Sequence, residues 1–97
     1  MKIRQTETFE RWLDGLRDRR AQLRISARIL RLSEGNPGNH KNLGSISELR
    51  IDYGSGYRIY CAQRDQEVIL LLVGGDKRTQ SRDIVTAQRL ASEWDGD

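Results

Sequence analysis

The sequence predicts one α+β domain over residues 1–97, in which two N-terminal helices pack on an antiparallel sheet. Apolar residues recur with helical spacing near both ends of the chain, whereas the middle alternates short apolar runs with glycine-bearing turns. The length suits a single hydrophobic core. These observations give the element order β-α-α-β-β-β-α, a two-layer arrangement with a helical hairpin on the sheet.

The N-terminal part of the chain reads as a strand followed by two helices. Residues 2–6 alternate in polarity and predict the first strand. Thr6 or Thr8 can cap a first helix, and Asp18 can cap a second helix that runs to about Ser33. The first helix has an apolar face formed by Phe9, Trp12, Leu13 and Leu16.

The second helix carries a stripe of arginines at spacings of three and four residues. Its members are Arg17, Arg20, Arg24, Arg28 and Arg31. At about 100° per residue they fall within a stripe roughly 80° wide. Because apolar residues flank the stripe on both sides, we expect the arginines to face outward.

The middle and the end of the chain predict a meander and a final helix. The Gly-Asn-Pro-Gly-Asn segment at 35–39 is a loop. Strands over 45–53, 57–63 and 68–73 are joined by short turns and so pair antiparallel. The last of these strands is almost continuously apolar, which is typical of a strand buried on both faces. The helix over 80–94 either covers the second sheet face or extends toward a partner.

Composition narrows the classes of function. The net charge is +3, and the chain has one cysteine and one histidine, Cys61 and His40. One cysteine forms no internal disulfide, and we expect Cys61 to be a small buried hydrophobe. We also expect the protein to bind no metal and no cofactor. No apolar run approaches the roughly 20 residues of a membrane span, and the start lacks an apolar signal core. We therefore expect a cytoplasmic protein with no membrane contact.

Basic residues are concentrated where three strands meet. Arg50 and Arg58 lie on the two strands of a hairpin, and Lys77 and Arg78 follow the glycine turn of the next strand. Neighbouring strands can deliver these side chains to one basic concavity. Such a concavity suits a phosphate backbone.

Several segments together resemble the RelE/ParE superfamily of bacterial toxins, and most of all the addiction-module killer proteins related to HigB-type toxins. The segments are Lys41-Asn42-Leu43-Gly44, Glu48-Leu49-Arg50-Ile51, Gly56-Tyr57-Arg58-Ile59-Tyr60, Leu71-Leu72-Val73-Gly74-Gly75-Asp76-Lys77, Gln80 and Asp83-Ile84. The resemblance implies the toxin of a type II toxin–antitoxin system, held by a helix-turn-helix antitoxin. Many members cut mRNA in the ribosomal A site without a metal, whereas the ParE branch poisons DNA gyrase.

The resemblance also implies roles for the basic residues. Arg58 matches the superfamily arginine of the Tyr-Arg-Ile-Tyr strand and would clamp the scissile phosphate; the alternative is a structural arginine paired with Glu48 or Asp52. Arg50 matches a basic position one strand earlier, with an ion pair on a solvated strand as the alternative. Lys77 or Arg78 matches the basic residue after the next strand, with a solvated turn as the alternative. Of these, a lysine can lose its proton and act as a base.

Further RNA contacts are expected around this cluster. They are Lys41 and His40 in the loop before the meander, and Arg20, Arg24 and Arg28 on the second helix. His40 can also shuttle a proton. The alternatives are an exposed loop and a solvated helix face. Phe9, Trp12 and Trp94 are candidate contacts for the antitoxin.

Two departures from the superfamily pattern keep other functions open. Glu48 stands where RelE-like members can carry a second lysine, and the tyrosines precede the C-terminal segment in which several nucleases of this class place one. The expected function is a ribosome-dependent mRNA endonuclease. The alternatives are a non-enzymatic gyrase inhibitor and a member that only forms a complex with its partner.

Overall fold

One five-stranded sheet organises the fold, described for residues 1–94 in a computed structural model. The strand order is β1-β5-β4-β3-β2. The strands are β1 Lys2–Gln5, β2 His40–Asn42, β3 Ser47–Ile51, β4 Tyr57–Arg64 and β5 Val68–Gly75. β2 to β5 form an antiparallel meander, and β1 pairs parallel with β5. The predicted meander is confirmed, and a short edge strand, β2, occupies what was expected to be a loop.

Three helices complete the α+β fold: α1 Glu7–Asp14, α2 Arg19–Ser33 and α3 Gln80–Glu93. The predicted caps are present. The Thr6 hydroxyl accepts from the Phe9 amide, and the Asp18 carboxylate accepts from the amides of Arg20 and Ala21. Each side chain thereby satisfies amides that have no partner in the first helical turn. A 3₁₀ turn, Lys77–Thr79, leads into α3.

The two faces of the sheet are covered by different helices. The α1–α2 hairpin packs on one face, in a core that includes Phe9, Ile25, Leu49, Ile59 and Leu71. α3 packs on the other face, in a core that includes Ile46, Tyr60, Leu72, Ala87 and Trp94. The predicted packing of the helical hairpin is confirmed. Of the two alternatives for the last helix, the sheet-covering one is correct.

Two glycines at the end of β5 allow helices to pack closely on both faces of the strand. A Cβ atom at Gly74 would overlap the Trp12 ring, and one at Gly75 would overlap the Asp83 carboxylate. Because these positions carry no side chain, α1 and the first turn of α3 both lie directly on the strand. This close packing places Lys77 beside the β3–β4 hairpin.

Three expected surface residues are in fact buried. Arg28 is 8% exposed, Phe9 is 0% exposed and Trp94 is 9% exposed. The prediction that Arg28 faces outward with the other arginines is therefore wrong, since the 36–39 loop and β3 fold over its guanidinium. Phe9 and Trp94 belong to the two cores and are not available to a partner.

Cys61 is buried, as expected from its apolar strand. Burial raises the pKa of its thiol to about 12, so the sulfur stays protonated and behaves as a small apolar group.

Among the helices of residues 1–94, none has the length and apolar character needed to cross a bilayer.

Candidate functional site

Arg50, Arg58 and Lys77 line one cleft of about 270 Å³, here called the cationic cleft. Arg50 and Arg58 lie directly opposite each other in the β3–β4 register, so both side chains leave the same face of the sheet. The Lys77 amide donates to the Ser55 carbonyl at 3.4 Å, which ties the turn after β5 to the hairpin loop. The prediction that these three residues share one concavity is confirmed.

A buried carboxylate, Glu48, lies beneath the two arginines. It is 1% exposed. Its Oε1 accepts from Arg50 Nε at 2.9 Å, and its Oε2 accepts from Tyr60 Oη at 3.1 Å and from Gln80 Nε2 at 2.8 Å. Arg58 Nε lies 3.7 Å from Glu48 Oε2. One carboxylate on β3 thus joins both arginines to β4 and α3.

Hydrogen bonding keeps this carboxylate ionised. Burial alone would raise the pKa of Glu48, but the hydrogen bonds from Gln80, Arg50 and Tyr60 outweigh burial and hold the pKa below its usual value. Burial and the neighbouring Glu48 charge raise the pKa of Tyr60, so its phenol remains a neutral donor. The negative charge offsets the repulsion expected between two arginines placed directly opposite each other.

The two arginines differ in accessibility. The Arg50 side chain is 40% exposed, whereas that of Arg58 is 12% exposed. Arg58 Nη1 donates to the Gly56 carbonyl at 2.7 Å, which fixes its guanidinium against the hairpin loop. The ion pair with Glu48 that was weighed as an alternative for Arg58 is therefore present, and the ion pair of Arg50 is formed with the same buried carboxylate. These contacts hold the guanidiniums in place within the cleft they line.

Arg28 supports the cleft from behind β3. Its guanidinium donates to the carbonyls of Pro37 at 2.7 Å and Asn39 at 3.0 Å, and also to the carbonyl of Arg50. Burial, and then the nearby Arg31, lower its pKa, although an arginine stays charged at neutral pH. Arg28 was expected to contact RNA. Its contacts instead make it a clamp on the backbone of Arg50.

The remaining predicted residues lie outside the cationic cleft. Arg78 is on the adjoining turn, 84% exposed and 3.4 Å from Asp76. Lys41 and His40 are exposed on edge strand β2, and His40 Nδ1 is 2.8 Å from the Gly38 carbonyl. Arg20 and Arg24 are exposed on α2, and the Arg24 guanidinium lies 4.6 Å from the centre of the Tyr53 ring.

Sequence reasoning missed the buried network that unites the arginines. Glu48 was weighed as a partner of Arg58 and noted as a departure from a lysine position, and Gln80 was noted as part of a motif. The contact between Glu48 and Gln80 was not foreseen. A signal was present in the sequence. Glu48 and Arg50 are two residues apart on one strand and so point to the same face, where Tyr60 and Arg58 lie opposite them in the β3–β4 register. An acid and a base paired on a covered sheet face indicate a buried ion pair.

In the described residues 1–94, no three His, Cys, Asp or Glu side chains cluster in a way that could hold a metal ion.

The chain matches no protein-family model, and no solved structure matches it. A protein of Haemophilus influenzae, described as an uncharacterized protein, is 47% identical over 94 residues, which cover 96% of this chain and 95% of that protein. The chain belongs to the same family as this Haemophilus influenzae protein.

Proposed function

We propose that this chain is a cytoplasmic toxin of the RelE/ParE class that cuts ribosome-bound mRNA without a metal. The sequence resemblance supports the class. The observation that carries the proposal is the convergence of Arg50, Arg58 and Lys77 on one cleft above a buried carboxylate. Preformed cations in a partly enclosed cleft favour a phosphate and the added negative charge of its transition state.

The reaction proposed is attack of an RNA 2′-hydroxyl on the adjacent phosphorus. A bond forms between the 2′-oxygen and phosphorus while the bond to the 5′-oxygen of the next nucleotide breaks, which leaves a 2′,3′-cyclic phosphate. Arg50 and Arg58 donate hydrogen bonds to the non-bridging oxygens, whose charge grows in the transition state. The 2′-hydroxyl proton passes to water, and the Lys77 ammonium donates a proton to the departing 5′-oxygen.

Glu48 has a positioning role in this scheme. Its contacts with Arg50 and Arg58 restrict side chains that would otherwise sample many rotamers. Clamping them in advance lowers the cost of organising the site around the phosphate. The exposed basic residues outside the cleft, including Arg78, Lys41, His40, Arg20 and Arg24, would contact the RNA backbone farther from the reacting phosphate.

In vitro translation followed by primer extension on the mRNA tests the proposal. The wild-type protein should produce discrete cuts, and Arg58→Ala should slow cutting about 10²–10³-fold because a donor to the transition-state oxygens is lost. Arg89→Ala is the matched control, since Arg89 is an exposed arginine of α3 paired with Glu93. It removes the same charge and should cut normally.

The same assay separates this function from its alternative. A folded Arg58→Ala protein with full cutting activity would show that the clamp is misassigned. Intact mRNA together with DNA double-strand breaks in cells that express the wild type would replace the proposal with poisoning of DNA gyrase.

The proposal also requires a partner that silences the toxin. We expect a helix-turn-helix antitoxin encoded beside this chain, which blocks the cationic cleft or makes the complex too large for the ribosomal A site. Co-expression of the neighbouring gene with tagged toxin should yield a stable complex and relieve growth arrest. Soluble, non-toxic protein recovered alone would contradict the toxin–antitoxin assignment.

A further inference from the structure

A second cleft, of about 280 Å³, lies beside the cationic cleft at the end of β5. We call it the Trp12 cleft. Trp12 of α1 and Tyr57 of β4 supply aromatic walls, Arg78 and Arg82 lie at its rim, and its floor includes Gly74. Its volume is near the lower end, about 300 Å³, of sites that bind small molecules.

The aromatic walls give this cleft flat apolar surface. The Trp12 and Tyr57 rings are 6.3 Å apart between centroids and inclined at 62°. Both side chains are half-buried, so each is held by packing while part of its ring remains accessible. Gly74 allows the Trp12 ring to lie directly on the strand backbone. Rigid, partly exposed aromatic rings are the usual platforms on which single-stranded bases stack.

The two clefts share one wall, formed where the hairpin loop meets the turn after β5. The residues of both turns alternate between the clefts. Ser55, Tyr57, Asp76 and Arg78 line the Trp12 cleft, whereas Gly56, Arg58 and Lys77 line the cationic cleft. The Lys77 amide and the Ser55 carbonyl join the turns across this wall. A polynucleotide crossing the wall can therefore place a phosphate on one side and a base on the other.

The charges of the Trp12 cleft do not oppose this use. The Asp76 carboxylate already accepts from the amides of Arg78 and Thr79, and the Asp83 carboxylate accepts from the Thr79 hydroxyl at 2.5 Å. The side chains of Arg78 and Arg82 are 84% and 77% exposed. Their planar guanidiniums can stack on a base or donate to its acceptor edge.

We propose that the Trp12 cleft binds a nucleobase of the single-stranded RNA whose phosphate occupies the cationic cleft. This inference rests on the proposed function and adds a base-binding subsite to it. Loss of stacking on Trp12 should weaken binding roughly 5- to 100-fold. Phosphate contacts carry no sequence information, so this subsite would also give the cleavage reaction a preference among bases.

The two tryptophans of the chain allow a direct test by ¹⁵N NMR on the wild-type protein. The probes are a 2′-O-methyl RNA trinucleotide, which cannot be cleaved, and the same backbone without its bases. The Trp12 indole signal should shift with the trinucleotide and not with the abasic backbone. The Trp94 indole, packed in the α3 core beside Arg64, is the internal control. The Arg58 Nε signal should respond to both probes.

A variant gives a second readout that does not depend on the spectra. Trp12→Leu should raise KM for RNA cutting about tenfold and flatten the preference among bases, with a smaller change in kcat. Trp12→Phe keeps a ring and should restore most of both properties. Circular dichroism and urea unfolding establish that each variant is folded.

The outcomes separate this inference from the proposed function. A response of Arg58 without one of Trp12 overturns the base subsite and leaves the phosphate site standing. A Trp12 shift with mRNA intact in the translation assay supports the subsite and rejects mRNA cleavage. If neither signal responds, the base subsite is rejected, and mRNA that is also uncut rejects the endonuclease.

Discussion

Glu48 holds the side chains of Arg50 and Arg58 in fixed positions within the cationic cleft. Two arginines opposite each other on neighbouring strands repel, and a buried carboxylate is costly unless hydrogen bonds satisfy it. In this protein the Glu48 charge reduces the repulsion between the arginines, and hydrogen bonds reduce the cost of burying that charge. Glu48 accepts from Arg50, Tyr60 and Gln80 and lies within ion-pair distance of Arg58. The acidic residue at this position therefore has a structural role.

Removal of the Glu48 charge should destabilise the protein as well as loosen the cleft. Glu48→Gln keeps the shape but weakens the contacts with both arginines, so we expect a loss of about 1–3 kcal/mol in the free energy of unfolding. Glu48→Ala leaves Arg58 and Tyr60 without their buried partner and should cost about 3–5 kcal/mol. Urea unfolding at neutral pH measures both. Glu93→Gln, at an exposed ion pair, should change little.

The pH dependence of stability tests whether the ionised Glu48 carboxylate causes this stabilisation. The pKa of Glu48 is lowered by folding from an ordinary value of 4.5. Its stabilising contribution is thus complete above that value and is lost as the pH falls toward the folded-state pKa. Between about pH 5 and pH 3, stability should therefore fall less steeply in Glu48→Gln than in the wild type. The pKa of Asp76 is also lowered, against burial, by its contacts with Arg78 and Thr79, so some slope should remain. Equal slopes would contradict the assignment.

Among the elements, the connection between α2 and β3 positions Arg50. Arg28 extends from α2 and donates to three carbonyls, two in the 36–39 loop and one on β3. The Arg50 amide in turn donates to the Asn39 carbonyl at 2.9 Å. The helix, the loop and the strand are thereby joined through one side chain directly behind the cationic cleft.

Arg28→Ala should weaken this connection, and Arg28 is not itself one of the residues that line the cleft. We expect a loss of about 2–4 kcal/mol in the free energy of unfolding, since three carbonyls lose the hydrogen bond from Arg28, while the Asn39 carbonyl keeps the one from the Arg50 amide. Hydrogen exchange should show faster exchange of the Arg50 amide. Arg31→Ala, an exposed arginine on the same helix, should stay within about 0.5 kcal/mol of the wild type. If both variants behave alike, the clamp is not a separate structural feature.

The elements also show which parts of the structure the sequence could predict. Capping by Thr6 and Asp18, the loop at 35–39 and the meander depend on residues close together in the chain, and all were predicted. Arg28 was misplaced because its partners lie 9, 11 and 22 residues away. Helical periodicity indicates a side chain's direction, but it contains no information about a loop that folds back over the helix.

In the candidate site, too, the sequence predicted the contacts between neighbouring strands and not those that depend on helix packing. Strand alternation placed Arg50 and Arg58 on one face, and the short connections brought Lys77 to them, so the cleft was predictable. The Glu48–Gln80 contact spans 32 residues and depends on α3 packing against that face. The sequence left the position of α3 open between two alternatives. The buried network could therefore not be assigned before the packing of that helix was known.

At the scale of the whole molecule, charge is distributed unevenly rather than in great excess. The net charge is only +3, which gives weak general attraction for a polyanion. Three cations nevertheless line the cationic cleft, together with Asp52 and above the buried Glu48, and the arginines of α2 other than Arg28 remain exposed. RNA binding should then depend on a few defined contacts.

The salt dependence of RNA affinity distinguishes these contacts from diffuse attraction. For single strands, each phosphate contact contributes a slope of about −0.7 to the plot of log affinity against log salt. Fluorescence anisotropy with an uncleavable 2′-O-methyl RNA, between about 50 and 200 mM NaCl, should show that Arg50→Ala and Lys77→Ala each flatten the slope by about that amount. Arg89→Ala should leave it unchanged. Arg20→Ala and Arg24→Ala decide whether the α2 stripe extends the RNA path, because a solvated helix face would leave the slope at its wild-type value. Equal flattening by all five variants would mean that RNA responds to overall charge, and the cationic cleft would lose its assigned role.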